Sequence, residues 1–196
     1  MKLHYSPASP FVRKVVVVAM HHGISLDRLA TNPHASPADL LADNPLSKVP
    51  TLVTDDGMTL PDSPLACEYL DSIGTAAKLF PASGAARWKA LRIAALADGI
   101  LTAAVLRRGL SLMPVEEART ETIARQKAAV ARTLDALESE GVGTALDIGI
   151  VGVVCALGYL DFRFADEDWR IGRPNLAAFF DAQMKKNIFA ETAPQG

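Results

Sequence analysis

The sequence predicts an α/β domain followed by an all-helical domain, and three observations predict it. Short strand patterns alternate with helical patterns up to residue 74. Small residues (Ala, Thr and Ser) and one proline then make up most of residues 75–83, which is typical of a linker. Helical periodicity covers nearly all of the chain after the linker. Because 196 residues are enough for two small domains, we expect them at residues 1–74 and 84–196.

The first domain begins with a strand, a helix and a second strand. Residues 2–5 have a strand pattern, residues 11–22 form an apolar helical pattern, and residues 25–30 alternate as in a strand. A strand–helix–strand unit of this kind places its two strands in parallel. Ser9 precedes Pro10 where the first strand passes into the helix, and this pair is typical of a helix start.

The remainder of the first domain has the patterns of a helix, a hairpin and a final helix. Ser36 precedes a proline and is predicted to cap a short helix that runs through residue 42. An Asp-Asp-Gly turn joins strands predicted at 51–54 and 58–60, and a helix is predicted at 63–73. The resulting βαβ-α-ββα order is a thioredoxin-like layout.

Four helical patterns make up the second domain, separated by proline and glycine. They are predicted at 85–110, 115–140, 147–160 and 174–185. Thr144 and Asp147 match a capping box, in which Thr144 is the N-cap and Asp147 reaches back to it from the third helical position. The helix that follows is apolar almost all round, so we expect it to form the core of this domain.

Composition and charge argue against several classes of function. The 20 Lys and Arg residues and 22 Asp and Glu residues give a net charge of −2, so no surface for nucleic acid is expected. The longest apolar run, residues 15–20, is far shorter than the roughly 20 residues of a membrane span. The first residues do not resemble a signal peptide. We therefore expect a cytoplasmic protein that does not associate with membranes.

The cysteines and histidines do not indicate a disulfide or a metal site. Cys67 and Cys155 both lie in apolar helical patterns, which favours two buried, reduced thiols. The four histidines are not arranged at the spacing of metal ligands, and no Cys-x-x-Cys pair is present. No metal cofactor is expected.

Three segments, in this order, resemble the N-terminal domain of the glutathione S-transferases. They are residues 6–15 (SPASPFVRKV), 48–52 (KVPTL) and 62–70 (DSPLACEYL). Residues 144–148 (TALDI) resemble the helix-capping motif of the C-terminal domain in the same superfamily. The end of the chain, from residue 158 onward, is similar to the short bacterial YibF-like branch. The resemblance covers nearly the whole chain.

The resemblance implies a detoxifying homodimer that adds glutathione to a hydrophobic electrophile. Ser9 would stabilise the glutathione thiolate at a helix N-terminus, where the helix dipole also favours an anion. Tyr5 and Ser6 are alternative hydroxyl donors. A Ser-Pro pair is also a good helix cap whatever its function, so the sequence leaves a purely structural role for Ser9 open.

The resemblance also implies how glutathione would bind. The bond before Pro50 would be cis, the backbone of Val49 would pair with the cysteinyl backbone, and Lys48 would reach the glycyl carboxylate. Ser63, as the N-cap of its helix, would hold the γ-glutamyl carboxylate through its N–H and Oγ. Asp62 would meet the γ-glutamyl ammonium. Helix capping alone is the simpler explanation for the last two residues, and the two roles are compatible.

Asp98 is the one residue of the second domain predicted to take part in binding. It lies in a mostly apolar helical stretch, where a charge needs a partner. In related dimers an acid on this helix reaches the glutathione ammonium of the other subunit. A local ion pair with Arg92 or Arg107 is the alternative.

Two further functions are compatible with the same fold. One is a glutathione-dependent disulfide reductase or peroxidase, although members that reduce disulfides covalently carry a cysteine where this chain has Ser9. The other is a non-catalytic protein-interaction module, because a fold does not determine a function. In the leading interpretation glutathione is the co-substrate, and a small electrophile is the second ligand.

Overall fold

The computed structural model describes residues 1–195, and the chain divides into two compact units. One unit contains Met1–Pro81 together with the chain from Asn187 onward, and the other contains Ala82–Lys186. The last residues thus belong to the first unit, whereas the sequence prediction assigned them to the helical domain.

Two contacts explain why the end of the chain joins the first unit. Phe189 is fully buried, and its carbonyl oxygen accepts a hydrogen bond of 3.0 Å from Nη2 of Arg13. The backbone N–H of Gln195 points to the carbonyl of Pro7 at 3.5 Å. Both partners lie near the start of the chain, so nothing in the local sequence of the last residues indicates this packing.

The first unit is built on a four-stranded sheet in the order β2-β1-β3-β4. The strands are β1 (Lys2–Tyr5), β2 (Asp27–Ala30), β3 (Thr51–Val53) and β4 (Thr59–Pro61). β1 and β2 are parallel, as predicted, and β3 is antiparallel to both β1 and β4. Together with the helices this is the predicted thioredoxin-like arrangement.

The helices follow the predicted order closely. They are α1 (Pro10–His21), α2 (Ala38–Asp43), α3 (Ser63–Ile73), α4 (Gly84–Ser111), α5 (Glu117–Glu140), α6 (Ile148–Arg163), α7 (Pro174–Met184) and α8 (Asn187–Ala190). In the first unit, α1 contributes a run of buried valines at residues 15–18, which lies in the same core as Leu3 and Leu52 of the sheet.

The predicted capping role of Ser36 is wrong. α2 begins at Ala38, and Pro37 occupies the N-cap position without a side-chain hydrogen bond. Ser36 instead ends a short 3₁₀ turn with a φ of 44°, and its hydroxyl accepts a hydrogen bond of 2.9 Å from Oγ of Ser47. The physical reason is that Asn32 opens this turn just upstream and shifts the start of the helix.

The second unit is a bundle of α4 to α7 in which α4 and α6 approach closely. A Cβ on Gly149 would lie 2.9 Å from the carbonyl oxygen of Ala90, and one on Gly152 would lie 3.1 Å from the Cβ of Ala97. Small residues on both helices therefore allow the contact. α6 is buried along residues 148–160, so it forms the core of this unit as predicted.

The capping of α6 differs from the predicted capping box. Asp147 is itself the N-cap, and its Oδ1 accepts a hydrogen bond of 2.9 Å from the N–H of Ile150. Thr144 is exposed and lies outside the helix, so its predicted capping role is wrong. Asp is a stronger N-cap than Thr, and the box normally needs the longer Glu or Gln at the third position.

Candidate functional site

The sheet brings the three predicted loops to one edge. His4 of β1 lies opposite Thr51 of β3, and Thr51 lies opposite Pro61 of β4. The chain that follows β1, the chain that precedes β3 and the chain that follows β4 therefore lie side by side. These are the segments that carry Ser9, Val49 and Ser63.

Ser9 is the N-cap of α1, as predicted. Its Oγ accepts a hydrogen bond of 3.3 Å from the N–H of Val12, and Pro10 occupies the first helical position. A serine hydroxyl has one hydrogen to donate besides the lone pairs that accept. Capping α1 therefore leaves the O–H of Ser9 available as a donor to an anion at the positive end of the helix.

Tyr5 and Ser6, the two alternative hydroxyls, lie close to Ser9. All three side chains line one cavity of about 160 Å³. The Tyr5 ring lies under the guanidinium of Arg28, at 5.5 Å from its Cζ, and the carbonyl of Ser6 accepts a hydrogen bond of 3.1 Å from the Ser9 N–H. The predicted residues are thus brought together, and the choice among them stays a prediction.

The bond between Val49 and Pro50 is cis, as the resemblance implied. The carbonyl of Lys48 is occupied, because it accepts hydrogen bonds from Asn44 and Thr51 at 3.1 and 2.8 Å. The hydrogen bonds found among residues 1–195 include none to the backbone N–H or C=O of Val49. Val49 therefore keeps both backbone groups for a ligand, and the side chain of Lys48 is exposed beside it.

The start of α3 differs from the prediction in one respect. Asp62, not Ser63, is the N-cap, and its Oδ1 accepts a hydrogen bond of 2.7 Å from the N–H of Ser63. The helix begins one residue earlier because Asp62 has a φ of 75° and a ψ of 144°, which turns its carboxylate toward the helix. Ser63 is fully buried, and its Oγ has no hydrogen-bond partner in the described part of the chain.

A buried polar cluster behind the site was not foreseen from the sequence. His4 is fully buried and lies 2.8 Å from Oδ2 of Asp43 and 3.0 Å from Oγ1 of Thr31. Hydrogen bonds from Lys2 and then from His4 hold the pKa of the Asp43 carboxyl below its usual value. The cluster ties α2 to β1 just before the chain reaches Ser9. Strand alternation places His4 on the same face as Lys2 and opposite to Leu3, so the local pattern gave no sign that His4 is buried.

Asp98 lies in α4, in the second unit, and is half-buried. The alternative prediction for Asp98 was a local ion pair with Arg92 or Arg107. Each of these arginines pairs with a glutamate: Arg92 with Glu140 at 2.5 Å, and Arg107 with Glu167 at 2.7 Å. The role of Asp98 toward glutathione stays a prediction.

Neither a metal-binding cluster nor a membrane-spanning helix is found in the described part of the chain. Among residues 1–195, no three His, Cys, Asp or Glu side chains are grouped so that they could hold a metal ion. In the same range, no helix combines the length and apolar character needed to cross a membrane.

The chain is similar to known proteins in both sequence and structure. Residues 8–73 match the N-terminal domain of the glutathione S-transferases, and residues 120–182 match their C-terminal domain. The chain is 32% identical over 199 residues to the "uncharacterized GST-like protein YibF" of Escherichia coli K12, covering 99% of this chain and 98% of the relative. The chain belongs to the glutathione S-transferase family.

Solved structures of the glutathione S-transferase family have the same fold over the whole chain. A family member from Pseudomonas fluorescens Pf-5 with bound glutathione is 38% identical to this chain and has a TM-score of 0.92. The match covers 100% of this chain and 99% of that one. A second structure from that organism, with bound S-(propanoic acid)-glutathione, is 36% identical with a TM-score of 0.87 and full coverage of both chains. The predicted fold class and the YibF-like resemblance are confirmed.

Proposed function

We propose that the protein is a glutathione transferase that binds glutathione at the edge of the sheet, stabilises its thiolate with Ser9 and adds the thiolate to an electrophile. The observation that carries the proposal is the convergence of a helix-capping serine, the unoccupied backbone of Val49 and the buried, unpaired hydroxyl of Ser63 at one sheet edge. Related structures with bound glutathione support the same ligand.

The γ-glutamyl end of glutathione would bind at the start of α3. A buried hydroxyl without a partner costs about 1 to 3 kcal/mol, and a ligand carboxylate that accepts from Ser63 would remove that cost. In the free protein the carboxylate of Asp62 accepts the hydrogen bond of the Ser63 N–H. On binding, the ligand's α-carboxylate would take over that N–H, and Asp62 would pair with the ligand's ammonium.

The middle and the far end of glutathione would bind at the neighbouring loop. The backbone N–H and C=O of Val49 would pair with the cysteinyl residue. The exposed ammonium of Lys48 would approach the glycyl carboxylate. Both contacts would direct the thiol toward Ser9, because the chain before β3 lies beside the chain after β1.

Stabilisation of the thiolate is the chemical step that this chain's own residues would provide. A free thiol has a pKa of about 8.5, and lowering it by about two units corresponds to roughly 2.7 kcal/mol in favour of the thiolate. The O–H of Ser9 and the positive end of α1 act together there. The thiol proton leaves to solvent, the sulfur then bonds to the electrophilic carbon, and the leaving group departs with its electron pair.

We further propose that the enzyme acts in the cytoplasm as a detoxifying homodimer, in which Asp98 of one subunit meets the γ-glutamyl ammonium bound to the other. The electrophile implied by the resemblance is hydrophobic. Within the first unit, however, the side chains that surround Ser9 are mostly polar.

Ultraviolet absorbance of the glutathione thiolate, titrated with the protein across pH, tests the proposal. We expect a saturable signal whose midpoint lies below the pKa of the free thiol. Ser9→Ala should move the midpoint back toward the free value while glutathione still binds. Tyr5→Phe and Ser6→Ala should leave it unchanged.

Asp147→Ala is the matched control, because it also removes an N-cap but lies in the second unit. It should lose stability without moving the thiolate midpoint. If Ser9→Ala behaves in the same way as Asp147→Ala, Ser9 is only a helix cap. A folded protein that gives no thiolate signal would instead be a non-catalytic binding module.

A further inference from the structure

The cavity beside Ser9 is small and mostly polar. Its volume is about 160 Å³, close to the roughly 150 Å³ of a cavity that holds one benzene molecule. Its lining includes Tyr5, Ser6, Ser9, Arg13, Arg28 and Glu191. Every lining residue belongs to the first unit, and none of Lys48, Val49, Asp62 or Ser63 is among them. The cavity is thus distinct from the proposed glutathione contacts, yet both adjoin Ser9.

Three charged side chains are found in the cavity lining. They are the cations Arg13 and Arg28 and the anion Glu191. Arg13 is buried and donates to the carbonyl of Phe189, so it holds the chain end in place. Arg28 is exposed, and no carboxylate within residues 1–195 forms a salt bridge with it.

Arg28 is also held in a defined position. Its guanidinium stacks on the Tyr5 ring, with Cζ 5.5 Å from the ring centroid, and a stacked arginine keeps its N–H donors free at the edge of the plane. The Tyr5 hydroxyl belongs to the same wall and can donate a second hydrogen bond. An arginine fork next to a phenol is suited to a carboxylate.

We propose that this cavity binds the electrophile and selects a small, short-chain carboxylate, with the carboxylate on Arg28 and Tyr5 and the reacting carbon toward the thiolate at Ser9. The inference rests on the proposed function, because it adds the second substrate to the same reaction. The small volume favours a compact electrophile over a large aromatic one, and the guanidinium of Arg28 favours an anion over a neutral compound of equal size.

Iodoacetate and iodoacetamide are a matched pair of probes for this selectivity. They have nearly the same size, and both react with a thiolate by forming an S–C bond as the C–I bond breaks and iodide leaves with the electron pair. Only iodoacetate carries a carboxylate. The protein's own cysteines, Cys67 and Cys155, are fully buried, and mass spectrometry will confirm that they stay unalkylated.

The experiment measures kcat/KM for both reagents, corrected for the uncatalysed reaction with glutathione. We expect Arg28→Gln to lower the value for iodoacetate about fivefold to tenfold, and that for iodoacetamide less than about twofold. Arg28→Lys should recover part of the loss. Arg125→Gln, an equal change of charge at an exposed position of the second unit, should leave both values unchanged.

Equal losses for both reagents in Arg28→Gln, or no loss for either, would overturn the inference. If neither reagent is turned over, calorimetry compares the binding of S-carboxymethylglutathione with that of its amide. Tighter binding of the acid, with the difference lost in Arg28→Gln, supports the inference. Equal binding of the acid and the amide overturns it. A protein that does not bind glutathione at all overturns the proposed function as well, whereas glutathione binding without acid preference overturns this inference alone.

Discussion

The first unit contains every non-glycine residue with a positive φ found among residues 1–195, whereas the second unit adopts that conformation only at glycines. Two of these three residues lie at the proposed glutathione contacts: Asp62 is itself one of those contacts, and Ser47 precedes Lys48. A non-glycine residue held in such a conformation costs about 1 to 3 kcal/mol and persists only where its surroundings impose it. The irregular backbone thus lies where binding is proposed.

The second unit is regular by contrast. Its central helix α6 is buried along 13 consecutive residues, and it packs on α4 through glycine and alanine. Nothing in that contact requires polar chemistry. The helical unit thus depends on close packing of small residues, while the first unit contains buried polar clusters that support an irregular backbone.

The largest effect is expected where such a cluster lies in the first unit. A Cβ on Gly74 would lie 2.2 Å from Cγ of His22, whose Nε2 is 2.9 Å from Oδ1 of Asp71. Asp71 also accepts the N–H groups of Leu79 and Phe80. Gly74→Ala should therefore displace His22 and lower the free energy of unfolding by about 2 to 4 kcal/mol. Urea denaturation measures it.

Gly99→Ala is the control for this change, because a Cβ at that helical position meets no atom within 4 Å. It should stabilise the protein, by up to about 1 kcal/mol. The double change His22→Ala with Gly74→Ala should recover part of the loss. A Gly74→Ala protein as stable as the wild type would mean that the His22 cluster is not rigid.

A smaller effect is expected at the helix contact of the second unit. In Gly149→Ala the new Cβ would meet the backbone oxygen of Ala90, which cannot move without displacing α4. Overpacking costs typically 1 to 3 kcal/mol, and the gain in helix propensity offsets up to about 1, so we expect a net loss of about 1 to 2 kcal/mol. Urea denaturation measures the loss. Unchanged stability would show that α4 and α6 separate easily, which would contradict the close packing described for the second unit.

A smaller effect still is expected at the N-cap of α6 in the second unit. Asp147→Ala should cost about 1 kcal/mol in unfolding free energy, because it removes the acceptor of the Ile150 N–H. Thr144→Ala is the matched control and should change stability by less than about 0.5 kcal/mol, since Thr144 is exposed and outside the helix. The reverse result would restore the predicted capping box.

The smallest effect concerns pH. The pKa of Asp43 is lowered in the folded state from 3.8 by its hydrogen bonds to Lys2 and His4, so its stabilising contribution is present above that pH and is lost as the pH falls through the lowered value. Asp43→Asn should therefore destabilise the protein at pH 7 and much less near pH 3. The measurement is the free energy of unfolding in urea at both pH values, for the variant and the wild type. Asp39→Asn, on the exposed side of α2, is the control, and its difference from the wild type should not shrink between pH 7 and pH 3.

The sequence by itself determined the order and type of nearly every element. Local signals are responsible: a Ser-Pro pair starts α1, a turn of Asp55, Asp56 and Gly57 joins β3 to β4, and the apolar pattern of α6 requires burial. The family motifs likewise named Ser9, Val49 and Ser63 as site residues. Each of these signals lies within a few residues of the feature that it specifies.

Only the tertiary structure decided which residues begin α2, α3 and α6 and what surrounds Ser9. Asp62 caps α3 because the chain leaves β4 with a positive φ, and that angle depends on the sheet rather than on the Asp-Ser-Pro sequence. Arg28 reaches Tyr5 only because β2 pairs in parallel with β1, and Glu191 joins the same cavity because the buried Phe189 anchors the chain end. These contacts join residues far apart in the chain, so no local pattern encodes them.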